Sequence, residues 1–139
     1  MVNPSNRSYR VAGAFAAAVL IAVVSCSGDG GPGPSSGLSR QATLASLTSQ
    51  QAATLCDWSN AKQGGYGREA TCSDGSLQET DSDKQSCVES VPYVGALCPT
   101  LTVGDIEDCA NATGTDLCAL TTAAACAAFR QCMESVASP

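Results

Sequence analysis

"CPTLTVGDIEDC", residues 98–109, carries the clearest local instruction in the chain. Thr102 precedes a helical run, Asp105 stands three positions after it, and Leu101 with Ile106 forms a hydrophobic staple across the start. Asp is shorter than the usual Glu of a capping box, so the reciprocal bond is not expected. A cysteine stands at each end of this stretch, Cys98 before the helix and Cys109 on it. A capped helix held between two cysteines predicts a small, mainly α, disulfide-stapled bundle, and the rest of the chain is read outward from it.

Downstream, the Asn111–Thr115 stretch (NATGT) ends that helix. A last helix is expected over about 122–136, with Ala125, Ala128, Phe129, Cys132 and Val136 on one face. Upstream, a short helix carrying Cys87 and Val88 is expected from a Ser82-x-x-Gln85 capping box, with Asp83 in its first turn and a break at Pro92. Residues 64–81 read as a loop, with Cys72-Ser-Asp-Gly75 as a turn. From Leu38 the composition becomes helical. Leu44, Leu47, Leu55 and Trp58 fall within an arc of about 80° at 100° per residue. Ser39 or Thr43 would cap that helix and Gly64-Gly65 would end it. The expected architecture is therefore about four helices.

The 139 residues include nine cysteines and no histidine. Without histidine the usual general base, the usual zinc ligand and the Ser/His and Cys/His nucleophile pairs are missing. No two cysteines form a C-x-x-C, so zinc ribbons and thioredoxin-like motifs find no support. Cys26 is the odd one. The other eight, Cys56, Cys72, Cys87, Cys98, Cys109, Cys118, Cys126 and Cys132, suit four disulfides in an alanine-rich core short of large side chains. An antiparallel hairpin of the last two helices nests Cys109–Cys118 inside Cys98–Cys132. Cys56–Cys87 then bridges the first two helices and leaves Cys72–Cys126. Two alternatives stay open: Cys56–Cys72 with Cys87–Cys126, and Cys109–Cys126 with Cys98–Cys118.

The first 25 residues read as an export signal. Arg7 and Arg10 precede an apolar run from Val11 to Val24, which as a helix is about 21 Å long, short of the roughly 30 Å bilayer core. Val23-Val24-Ser25-Cys26 resembles the lipobox of bacterial lipoproteins. The resemblance implies cleavage before Cys26, a diacylglycerol thioether on its sulfur, and acylation of the new amino group. Ser27 at the next position resembles lipoproteins of the outer membrane. The layout of residues 54–132 (C-D-W, G-G-Y-G, C-x-D-G, C-P-x-L-T-V-G-D and the closing A-C-A-x-x-x-x-C) looks like small cysteine-rich lipoproteins of myxobacterial type. That likeness implies a fold and no chemistry. The division expected is thus signal peptide 1–25, lipidated cysteine with a Gly/Pro/Ser-rich linker 26–37, and cysteine-rich helical domain 38–139. The linker, rich in glycine, is expected to be a disordered tether.

Removing Arg7 and Arg10 leaves five basic residues against thirteen acidic ones, a net charge of about −8. Such a chain is repelled by phosphate backbones, so no nucleic acid partner is expected. Asp74, Glu79, Asp81 and Asp83 gather in the loop, but without D-x-D-x-D-G spacing they read as a solvated acidic stretch and not as a calcium site. Asp105, Glu107 and Asp108 lie in the first turns of a helix, where negative charge is favoured without a site. Trp58 reads as core, and Asn111 as a helix-end residue and not a glycosylation site. Tyr66, between glycines, is open between core and an exposed platform. No catalytic residue, metal or cofactor is assigned. The expected role is a membrane-anchored, non-enzymatic interaction or structural module of the bacterial envelope, held by lipid on Cys26 and facing an envelope or surface protein. The alternatives are a ligand- or cation-binding lipoprotein using Asp74–Asp83, and a carboxylate-based hydrolase.

Overall fold

The computed structural model describes residues 32–137. Cys26, the export segment and the first part of the linker lie outside the described residues. The domain is mainly helical, as the capped and stapled sequence requires. Four helices, α1 (Ser49–Lys62), α2 (Lys84–Leu97), α3 (Val103–Thr113) and α4 (Ala127–Ala137), surround one core. A two-stranded hairpin, β1 (Glu69–Thr71) and β2 (Leu77–Glu79), lies between α1 and α2 in the chain.

α1 starts eleven residues later than the composition change at Leu38. Its cap is Thr48, whose hydroxyl accepts from the Gln51 amide while the Gln51 side chain accepts from the Thr48 amide. Leu44 and Leu47, expected on this helix, sit before it in a 3-10 turn (Leu44–Ser46) and an extended residue. The reason is long-range pairing. The Leu44 amide donates to the Leu101 carbonyl at 3.0 Å, and Val103 and Gly104 donate to Ala42 and Arg40 at 2.9 and 2.8 Å. Backbone groups committed to this pairing cannot serve a helix. α1 ends where expected, with Gly64 and Gly65 at φ +92° and +115°.

The segment read as a loop contains the hairpin. Glu69, Ala70 and Thr71 pair antiparallel with Glu79, Gln78 and Leu77 around the Cys72–Gly75 turn. Strands of three residues are too short to show a period of two. Thr80 locks its base: the buried hydroxyl accepts from the Arg68 amide and donates to the Gly65 carbonyl.

α2 is capped by Asp83, which accepts from the Ser86 amide at 2.8 Å, and not by Ser82. It also runs through Pro92, where a break was expected. Pro92 is exposed, and the helix is pinned on both sides of it. Cys87 is bonded to α1, and Gly95 lies so close to the Leu44–Ser46 turn that an added Cβ would stand 2.4 Å from the Ala45 nitrogen. These contacts outweigh the one helical bond proline forfeits. α3 has the Thr102 cap, and here Asp105 does return the bond, accepting from the Thr102 amide at 2.9 Å. Gly114 closes it at φ +53°.

All eight domain cysteines are paired. Cys56–Cys87 joins α1 to α2, and Cys98–Cys132 joins the end of α2 to α4, both as read from the sequence. The other two pairs are corrections. Cys109 bonds Cys126, which was one of the alternatives, and Cys72 bonds Cys118. The chain after Gly114 does not turn directly into the last helix. It makes two 3-10 turns, Leu117–Thr121 and Ala124–Cys126, before α4 begins at Ala127. Leu117 plugs the core, Cys118 is carried to the hairpin turn, and Cys126 meets α3 with a Cα–Cα distance of 4.5 Å. On α4, Phe129 and Cys132 pack on the core, whereas Val136 is exposed.

Candidate functional site

Two features stand out once the fold is drawn: a cleft beneath the hairpin and a docked linker on α3.

The cleft has a volume of about 390 Å³. Its walls come from four helices' worth of alternating faces: Leu55 from α1, Val91 and Val94 from α2, Ile106 from α3, and Phe129 from α4. β2 and the residues after it form one lip, placing Gln78, Glu79, Thr80 and Asp81 along the opening. Glu79 and Asp81 are two positions apart on an extended chain and so share a face. The cleft hydroxyls are already spent. Ser59 donates to the Cys56 carbonyl and Ser90 to the Cys87 carbonyl, each within its own helix. Behind the lip lies Asn60, 1% exposed, whose Nδ2 donates to the Cys56 carbonyl and lies 3.4 Å from an Asp81 oxygen. Its Oδ1 has no donor among the described residues.

The linker does not run free to Gly37. Residues 33–37, expected to be part of the tether, pack across α3 and α1. The Ser36 amide and hydroxyl donate to Glu107 Oε1 at 2.6 and 2.7 Å, and the Ser35 hydroxyl donates to the same oxygen at 3.1 Å. Trp58 Nε1 donates to the Gly33 carbonyl at 2.9 Å, and Asn111 Nδ2 to the Pro34 carbonyl at 2.7 Å. Glycine and proline bury little area, but here the strap is held by its backbone and hydroxyls.

Glu107 is thus more than a charge favoured by the first turns of α3; its side chain is 0% exposed. It lies on the buried stripe of α3 with Val103 and Ala110. Its second oxygen accepts from Arg40 Nη1 at 3.0 Å, and Arg40 Nη2 also reaches Asp108 at 2.7 Å. Burial pushes the Glu107 carboxyl up, but the donors from Ser36, Ser35 and Arg40 outweigh it and hold it below the ordinary range. Asp108, and to a lesser degree Glu107, raise Arg40. Asp105 is spent on its cap.

The acidic loop is not one cluster. Asp74 accepts from the Ser76 amide and hydroxyl inside the hairpin turn, Asp83 caps α2, and only Glu79 and Asp81 share the cleft lip. The Ser76 and Ser86 amides hold Asp74 and Asp83 below their ordinary values. Among the described residues, no three acidic or sulfur ligands stand together as a metal site. Trp58 is buried as expected, with Lys62 over its ring at 5.7 Å. Tyr66 is half-buried and its hydroxyl donates to Asp57, which also pairs with Lys84 at 2.6 Å. Burial, then the Asp57 bond, push the Tyr66 phenol up to about 12. Lys84 and Tyr66 lower Asp57. Sequence reasoning did not single out Asp57, Asn60 or Arg40.

Comparison with protein-family models, curated proteins and solved structures finds no match for this chain. No described helix is long and apolar enough to cross a membrane.

Proposed function

We propose that this chain is an exported, lipid-anchored bacterial envelope protein whose domain serves as a non-enzymatic interaction or structural module. The observation that carries the reading is the strap on Glu107. A linker docked from Gly33 leaves only the six steps from Cys26 to Pro32, about 20–22 Å at full extension, between a lipidated cysteine and the domain. A chain of flexible glycine and serine through Gly37 would let the domain swing and rotate. With the strap docked on α3 and α1, a lipid on Cys26 would keep that side of the domain nearer the bilayer than a tether free to Gly37 would. Four disulfides keep the domain's faces rigid, and the Ser59 and Ser90 hydroxyls of the cleft donate to carbonyls of their own helices, which favours a scaffold over a hydrolase. Ser27 supports the outer membrane as the destination.

The test is metabolic labelling with palmitate and fractionation of cells making the native chain or Cys26→Ser. Label and membrane association should both disappear in the variant. Persistent labelling would overturn the anchor, and inner-membrane enrichment of the native chain would overturn the destination.

A further inference from the structure

We propose that the cleft beneath the hairpin binds small cationic amphiphiles, an alkyl or aryl body inside and a primary ammonium at the Glu79–Asp81 lip. This goes beyond the anchored-module reading and does not depend on lipid at Cys26. The inside is apolar, lined by Leu55, Val91, Val94, Ile106 and Phe129, and its volume of about 390 Å³ falls in the range of ordinary small-molecule pockets. Charge complementarity sets the class of occupant. The lining includes two carboxylates and no lysine or arginine. Neither carboxylate forms an ion pair among the described residues.

Arg68 lies with Glu79 and Asp81 in an adjoining depression, but it and Arg130 are held by backbone carbonyls. Arg68 donates to the Gln63 and Thr115 carbonyls, and Arg130 to those of Leu120 and Ala123. Asn60 approaches Asp81 through its Nδ2 and lies behind the residues that line the cleft. A primary ammonium has three N–H donors to offer the two lip carboxylates; a carboxylate or sulfate head has none and would meet like charge.

Titration calorimetry of the purified, oxidised protein with hexylammonium chloride tests this, with hexanoate and hexan-1-ol as chain-matched controls. Hexylammonium should bind saturably at one site, hexanoate should not bind, and hexanol should bind more weakly. The double variant E79Q/D81N, changed only on the lip, should weaken hexylammonium roughly three- to tenfold and leave hexanol unchanged. Nuclear magnetic resonance shifts on Val94, Ile106 and Phe129 should report the site. No saturable hexylammonium binding, equal binding of hexanoate, an unaltered affinity in the folded double variant, or shifts confined to other residues would each overturn the proposal.

Discussion

Replacing Glu107 by glutamine keeps the side chain's shape and removes its charge. In the native chain one buried carboxylate gathers three donors from Ser35 and Ser36 and one from Arg40. Hydrogen bonds to an ionised acceptor contribute about 1.5–3 kcal/mol each, but bonds sharing one acceptor do not add. Glutamine keeps one acceptor oxygen and turns an NH2 toward Arg40. Arg40 is 49% exposed and still has Asp108, so no charge is left stranded in the interior. The loss therefore falls below that of a broken fully buried ion pair, at about 2–3 kcal/mol. Urea denaturation with the disulfides intact measures it, and amide exchange at Ser36 locates it. The midpoint should fall and the Ser36 amide should lose protection, while amides of α1 and α2 keep theirs relative to global stability. A change under about 0.5 kcal/mol with Ser36 still protected would refute the role given to Glu107.

Acid should release the strap in the native chain. The Glu107 carboxyl is held below its ordinary value of 4.5, so its contribution is complete above that pH and is lost as pH falls through the lowered value. Trp58 emission, followed from pH 7 to pH 2, should report the loss of the Gly33 contact, and the acid step should vanish in E107Q; an identical step in both would contradict it. Gly95→Ala should destabilise by about 1–3 kcal/mol, because the new methyl meets the Ala45 backbone and not a movable side chain, an effect larger than alanine's helical advantage. An unchanged or raised urea midpoint would show that the Leu44–Ser46 turn yields.

The features legible in the sequence are those whose cause is local. The Thr102 cap, the Gly64-Gly65 stop and the stop within Asn111–Thr115 depend on residues a few positions apart, and each lies where it was read. Thr48-x-x-Gln51 is equally local, but the leucine periodicity before it masked it. What escaped reading depends on distant partners. The 40–44 segment stays out of α1 because residues 101–104 pair with it. Pro92 stays helical because Cys56 and Ala45 hold α2 on either side. Glu107 illustrates the same point for the strap: its acidity is explained by the first turns of a helix, yet its register with Val103 and Ala110 places it on the buried stripe. That register was the available signal. The cleft itself was not legible, since its walls come from residues as far apart as Leu55 and Phe129.

The account rests on four cross-links that place the hairpin over the cleft and α3 under the strap. Non-reducing peptide mapping of the mature protein, with thiol counting, tests them directly. Cys56–Cys87, Cys72–Cys118, Cys98–Cys132 and Cys109–Cys126 should be the pairs, with none of these eight thiols free. A Cys109–Cys118 peptide, or free thiols among the eight, would contradict the fold from which both the strap and the cleft are argued.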